Sequence, residues 1–280
     1  MHVSTVETVL EYEVKSPTHF CFNIEAAHGT AQHIRSERLA VSSGVCPHSF
    51  TAPGSGNRFF RFDASPGLLL VNYQAEVEVF LEVPGDDLAE VPVGQVPDDV
   101  LRYLLPTRYC ESDLLSGPAQ QMFGQVPAGI GRVRHVAQWV RDAIAYRPGS
   151  TGSTTTAQEV FVTRCGVCRD FAHLAITLCR ALNIPARLVV GYVWFDEPPQ
   201  DFHAIFEAWV GGRWVLFDPS GMAPVDRLVR IGTGSDAKDV AFSTIFGNVQ
   251  MTRKEVIVLE HEPRPDVAEL VRAQMVAEDA

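Results

Sequence analysis

The chain reads as α+β, an N-terminal antiparallel, β-sandwich-like domain followed by a domain in which helices pack on a sheet. Three observations predict this. Runs of alternating apolar and polar residues fill the N-terminal part, broken by Gly, Pro and Ser clusters at 52–56 and 65–67, as in a sandwich of short strands. Residues 131–144 and 171–182 carry apolar side chains at helical spacing. From Arg187 onward the chain returns to β-branched and aromatic runs. A β-rich half, then helices, then sheet is the order of an α+β chain, and no internal repeat is evident.

At 280 residues and 46% apolar content the chain can bury the core of one large or two modest domains. A net charge of −11 argues against nonspecific binding to nucleic acid or to an anionic membrane, which both need clustered positive charge, so neither is expected as a partner. No apolar run reaches the ~18 residues of a membrane span, and residues 1–30 lack a basic segment leading into an apolar one, so the expected location is cytoplasmic. The oligomeric state leaves no signature. Six cysteines in a chain of this length are too sparse for a disulfide scaffold, and free thiols are expected.

Residues 3–14 and 18–25 alternate as strands around a Ser16-Pro17 turn. Further strands are expected at Glu37–Ser42, Arg58–Asp63 and Gly67–Leu81, the last with Val71, Tyr73, Ala75, Val77 and Val79 on one face. His28, His33 and His48 are scattered and read as solvent-facing or hydrogen-bonded. The N-terminal domain is placed at 1–90, the Pro- and Gly-punctuated 83–97 is the boundary, and the second domain is placed at 98–264. Asp98-Asp99 caps a short helix through Leu104, and Gly131–Ile144 is a longer one with Val133, Val136, Ala137, Val140 and Ile144 on its apolar face. Thr151–Thr156 is a connecting loop before a helix near Ala157. Arg187–Trp194 is a nearly continuous apolar strand fit for the centre of a sheet. The stretch Gly232-Thr233-Gly234-Ser235-Asp236 is not a phosphate loop, because no Gly-Lys-Ser/Thr follows. Glu255–Glu260 is a last strand, and 265–280 is an amphipathic helix or a frayed tail.

At Gly166 a turn hands Cys168 to the first turn of the most strongly patterned helix, whose buried face is Phe171, Leu174, Ala175, Leu178, Cys179 and Leu182 and which Pro185 stops. A thiol there meets unpaired backbone N–H groups and the positive end of the helix dipole, both of which favour the thiolate. The plain alternative is a small apolar residue in a core helix.

Parity locates a base. His203–Val210 and Arg213–Asp218 are strand-like, and Gly211-Gly212 between them is a two-residue hairpin turn. Trp209 then faces Trp214, Glu207 faces Leu216 and Ile205 faces Asp218. His203 shares the Ile205 face and is the diagonal neighbour of Asp218. The carboxylate can accept from one imidazole nitrogen while the other faces the thiol, if the helix packs on this face. Glu207 lies on the same face and is the fallback third member. Taken singly, His203 reads equally well as a hydrogen-bonded strand residue and Asp218 as a turn carboxylate before Pro219.

Cys165-Gly-Val-Cys168 is a C-x-x-C. With no second Cys or His pair at finger spacing it makes no case for zinc, and no strand precedes it as in a thioredoxin-like pair, so no metal and no cofactor are expected. Cys165 is kept as a candidate redox partner for Cys168.

The run Gly166–Gly191, with Asp201-Phe202-His203-Ala204, Phe206-Glu207-Ala208 and Phe217-Asp218-Pro219, resembles the bacterial transglutaminase-like cysteine peptidase superfamily, a branch of the papain-like fold. The strings 105–110, 145–151 and 235–241 are similar to that family too, and a β-rich N-terminal domain is typical of its bacterial members. The resemblance implies a papain-like transglutaminase core with a Cys168–His203–Asp218 triad acting on an amide or isopeptide carbonyl. Ile205 stands where the family often has Trp, and Ser235 where arginine is common. Cys168 would attack the carbonyl carbon, His203 would shuttle the proton and Asp218 would hold the imidazole tautomer. The Cys168 backbone N–H is the natural first oxyanion donor and Tyr146, in a family-like string, the candidate second. If water resolves the thioester the enzyme is a peptidase or isopeptidase acting on a protein or peptide; if a lysine amine does, it is a protein-glutamine acyltransferase. Hydrolysis is favoured, because there is no acidic calcium loop of the EF-hand kind and the bacterial relatives are usually peptidase-like. The rival is a non-catalytic binding or scaffold protein on the same fold.

Overall fold

The computed structural model describes residues 2–42, 44–80 and 85–261. The expected helix or tail at 265–280 and the end of the strand predicted to Leu81 lie outside the described residues. In the N-terminal part β1 (His2–Val14) and β2 (Thr18–Phe22) form where alternation predicts them, with Val6, Leu10, Tyr12, Val14, Phe20 and Phe22 turned inward. β3 (Gln32–Val41) starts ahead of the predicted Glu37. β4 (His48–Thr51) has no buried residue, so it carries no alternation to detect. β5 (Arg58–Ala64) and β6 (Gly67–Val79) follow as expected.

The segment read as a linker is docked rather than free. Leu88 and Ala89 carbonyls accept from the Ile130 and Gly211 N–H groups at 2.8 Å, and Glu90 pairs with Arg132 at 2.5 Å. After α1 (Asp98–Leu101) comes α2 (Ser116–Phe123), which Gly117-Pro118 hides in the sequence, although proline is tolerated in a first helical turn. α3 (Ile130–Ala143) buries Ile130, Val133, Val136 and Val140. A two-residue parallel pair, β7 (Ala145–Tyr146) with β8 (Cys165–Gly166), brackets α4 (Ala157–Thr163), whose start Thr156 and Glu159 cap reciprocally.

The helix α5 (Cys168–Ala181) departs from its expected single buried face: every residue from Asp170 to Arg180 is buried. Phe171, Leu174, Ala175 and Leu178 meet the apolar core, as predicted. The other side presents Asp170, His173, Thr177 and Arg180 at helical spacing, each with a hydrogen-bond partner. A polar stripe can be buried when its groups are paired.

β9 (Ala186–Tyr192), β10 (His203–Val210), β11 (Arg213–Phe217) and β12 (Val229–Gly234) form one antiparallel sheet in the order β11-β10-β9-β12. Gly211 and Gly212 make the hairpin turn with φ of 60° and 74°, and Trp209 faces Trp214 and Glu207 faces Leu216 as parity requires. Helix α5 packs on the other face from the one the hairpin argument needed. Its core contains Ala204, Phe206 and Ala208, whereas Ile205 and Val189 pack in a separate small cluster with Val193, Phe195 and Leu228.

The remaining strands, β13 (Ser243–Phe246) and β14 (Val249–His261), return to the N-terminal half. Two sheets, β14-β1-β6-β3 and β13-β2-β5-β4, enclose a core in which Phe20, Phe22, Phe60 and Phe62 stack beside Tyr12. Placing residues 243–261 with the second domain is thereby corrected: without β13 and β14 one whole side of β1 and of β2 would be an unpaired edge. The two halves are joined through buried Tyr192, whose hydroxyl donates to the Ile24 carbonyl at 2.6 Å and accepts from Thr8 Oγ1 at 3.0 Å. No described helix is long and apolar enough to cross a membrane.

Candidate active site

Cys168 is the first residue of α5 and is half-buried. Its position is set by what flanks it. Asp170 turns its carboxylate back over the helix start, where Oδ2 accepts from the Val167 N–H at 2.9 Å and from Thr151 Oγ1 at 2.6 Å, and Oδ1 meets Arg169 at 2.8 Å. Gly166 makes room: a Cβ there would lie 2.7 Å from the Asp170 Cβ. Asp170 stands three residues after the cap position and makes only the returning half of a capping box, since Val167 has no side-chain oxygen for the other half and the sequence carries no capping-box signature there.

His203 is the first residue of β10 and is 1% exposed. Its Nε2–H donates to Asp218 Oδ2 at 3.0 Å. Asp218 also accepts at Oδ1 from the Ser220 N–H (2.8 Å) and hydroxyl (2.6 Å), and at Oδ2 from the Met222 and Ala223 N–H groups (3.1 Å each). These donors come from the Asp-Pro-Ser-Gly turn expected at Pro219 and from the two residues that follow it. Burial alone would raise the Asp218 carboxyl, but His203 and Ser220 hold it below the usual range. Burial would likewise lower the His203 pKa; the Asp218 bond and then the Cys168 sulfur outweigh it and push the ring up to about 10. Nδ1 has no hydrogen-bond partner among the described residues, and the Cys168 sulfur is near enough to act on the ring. Cys168, His203 and Asp218 are thus brought together although α5 covers the opposite sheet face. His203 is the first residue of its strand, paired with Gly191, and its ring lies 5.5 Å from that of Phe195.

Tyr146 sits opposite Gly166 in the β7–β8 pair and its ring meets that of Phe171 at a tilt, 5.8 Å between centroids. Burial first, then the Cys168 sulfur, raise its hydroxyl pKa, so the hydroxyl keeps its proton. Glu207 is committed elsewhere, between Arg187 (2.8 Å) and Arg230 across the sheet, and these arginines keep it ionised against its burial. The fallback role therefore does not arise. Cys165 lies in β8, half-buried and unpaired.

Two groups outside the expected set hold the site's far wall. His173 is fully buried, stacks on Tyr109 at 5.3 Å and accepts from the Ala237 N–H at 3.1 Å; burial lowers its pKa to about 3, so it stays neutral. Arg180 donates to the carbonyls of Ala186 (3.0 Å), Leu105 (3.1 Å) and Ser235 (2.6 Å). A guanidinium does reach Ser235, from α5 rather than from position 235 itself. Ile205 is buried in the small cluster on the other sheet face and does not wall the site.

A cleft of about 610 Å³ opens over Cys168 and His203. Its floor is apolar, with Leu188, Val190 and Ile231, and Asn23, Thr244 and Lys254 bring the sandwich to one wall.

Comparison with known proteins agrees with this fold. The transglutaminase-like superfamily matches residues 118–219, and the bacterial transglutaminase N-terminal domain matches residues 3–99. A crystal structure of a protein from Cytophaga hutchinsonii, named as a candidate cysteine protease, is 38% identical, superposes with a TM-score of 0.90 and covers 94% of this chain and 92% of that one. The uncharacterized protein ML0607 of Mycobacterium leprae is 33% identical over 134 residues, and the uncharacterized protein Rv2569c of Mycobacterium tuberculosis 37% over 122. Those matches cover 44% and 39% of this chain, and the chain spans less than half of either relative, 47% and 39%. With a helix-borne cysteine, a papain-like core and a strand sandwich ahead of it, the chain belongs to the transglutaminase-like superfamily, in the group that carries a bacterial transglutaminase N-terminal domain.

Proposed function

We propose that the protein is a cysteine hydrolase that cleaves an amide, peptide or isopeptide bond through a thioester on Cys168. One observation carries this reading: His203 bonds Asp218 through Nε2 while its Nδ1 has no other partner among the described residues and borders Cys168 at the start of a buried helix. Sulfur attacks the carbonyl carbon, and the proton held on His203 passes to the leaving amine. Water then adds to the thioester with the imidazole as base, releasing the acid and restoring the thiol. Asp218 keeps Nε2 protonated and stabilises the imidazolium. The Cys168 backbone N–H and the Tyr146 hydroxyl are the oxyanion donors. An open cleft reaching both Cys168 and His203 speaks for an enzyme over a binding scaffold on the same fold. All six cysteines are unpaired, which fits a reducing compartment, and we place the reaction in the cytoplasm.

Activity-based labelling with iodoacetamide at neutral pH, followed by mass-spectrometric mapping, tests the reading. Cys168 is the expected site, and Cys168→Ala loses both the label and all amide turnover. Turnover that persists in Cys168→Ala ends the proposal.

A further inference from the structure

We infer that the cleft selects a substrate that carries a carboxylate on a short apolar body, and that Arg108 and Lys238 together are the subsite for that carboxylate. This deepens the acyl-transfer reading and rests on it.

Both side chains line the cleft that opens on Cys168. The other cations of its lining already have carboxylate partners: Arg169 pairs with buried Asp170 at 2.8 Å, and Lys254 pairs with Asp201. Arg108 differs. It is exposed, has no carboxylate or hydrogen-bond partner among the described residues, and lies over the Tyr109 ring at 5.6 Å, which holds the guanidinium in place by its face and leaves its N–H fork free. Lys238 is 73% exposed and only loosely paired, 3.7 Å from Asp239.

The same buried carboxylate ties the two segments together. Asp236 accepts from the Lys238 N–H at 2.9 Å through Oδ1 and from the Tyr109 N–H at 3.4 Å through Oδ2. His173, stacked on Tyr109 and bonded to the Ala237 N–H, braces both from below. Two cations are thereby carried on one rigid rim, and a planar fork beside a point charge suits a carboxylate.

The remaining lining sets the rest of the ligand. Leu188, Val190, Ile231 and Val240 offer no charge, and about 610 Å³ lies within the ~300–1,000 Å³ of pockets that enclose a small ligand. A short peptide or amide with an aliphatic side chain fits that volume; an anion without an apolar part leaves the floor unused. The net charge of −11 repels anions at a distance, but at physiological salt that repulsion is screened beyond about 8 Å, so the cations at the rim decide the local field.

Binding to Cys168→Ala, measured by calorimetry with matched probes, reads the subsite independently of turnover. The pairs are acetyl-Leu-Glu-amide against acetyl-Leu-Gln-amide, and acetyl-Leu-Ala with a free carboxylate against its carboxamide. In at least one pair the carboxylate member binds about tenfold tighter, the order that one charge-assisted hydrogen bond supplies. Adding Arg108→Gln and Lys238→Gln to the same background removes the preference while the thermal melt stays in place, since both side chains are solvent-facing. No preference in either pair, or a preference that survives the double substitution, overturns the subsite. An intact preference in a protein whose wild type turns over no amide instead overturns the acyl-transfer reading and leaves the subsite standing.

Discussion

His203 is where two opposed effects are largest. Burial disfavours the charged ring, and the Asp218 carboxylate and the Cys168 sulfur favour it strongly enough to set the pKa near about 10. The imidazolium is therefore expected to persist through neutral pH, and NMR of the ring protons should show a midpoint near about 10 in the wild type. In Asp218→Asn the midpoint falls toward 6.5 or below, because burial remains and its largest opponent is gone. A wild-type midpoint already at 6.5 would refute the pairing. Because the folded pKa lies above the unfolded value of 6.5, the pair's contribution to stability is full below pH 6.5 and drains away as pH rises through about 10. Asp218→Asn should lack that alkaline loss, and its amide turnover should drop by about 10²–10⁴. The His203–Asp218 contact was legible in advance, since a two-residue glycine turn leaves the hairpin register no slack. Asp170, Ser220 and His173 were not singled out, because each acts by tying backbone groups whose positions only the fold supplies.

At the level of elements, α5 governs the site. Apolar spacing predicted a helix with one buried face, and periodicity finds such a face whether or not the other side is wet. The other side is dry, and its polar stripe fastens three loops: Asp170 the loop at Thr151, His173 the turn at Ala237, and Arg180 the segments at Leu105 and Ser235. Asp170→Ala is the sharpest test. It leaves the Val167 N–H unpaired in a largely buried setting and should cost about 1–3 kcal/mol in urea unfolding. It should also slow iodoacetamide labelling of Cys168, since the helix start is no longer pinned. Unchanged stability together with unchanged labelling would show that Asp170 does not position the cysteine. The elements that sequence reading missed share a physical cause. β4 buries nothing, α2 opens on Gly-Pro, and β12 contains Gly232 and Gly234, which read against a strand yet allow Asn57 and Asp239 to approach closely.

For the whole molecule, the sandwich and the transglutaminase-like half share buried contacts and are expected to unfold together. The chain leaves the sandwich after β6, builds the transglutaminase-like half, and returns to close both sandwich sheets with β13 and β14. Tyr192 bonds Ile24 and Thr8 across the joint, and its ring belongs to the sandwich core although its strand belongs to the β11-β10-β9-β12 sheet. Urea unfolding followed by far-UV circular dichroism and by tryptophan fluorescence, which reports the transglutaminase-like half alone, should give coincident transitions. Tyr192→Phe should lower both by about 1–3 kcal/mol, because it strands a buried carbonyl. Two separated transitions, one of them indifferent to Tyr192, would show that the halves are independent and that the cleft wall from the sandwich is mobile.

The amino-acid sequence by itself determined which segments become helix or strand where one face is apolar, the register of the β10–β11 hairpin, and the placing of Cys168 at a helix start. All three follow from short-range periodicity, turn stereochemistry and spacing along the chain. Only the tertiary structure decided which sheet face α5 covers, that residues 243–261 belong with residues 2–80, and that the cleft is walled from both halves. Those outcomes are contacts between residues far apart in the chain, fixed by which apolar faces and unpaired strand edges remain to be covered once the local elements exist.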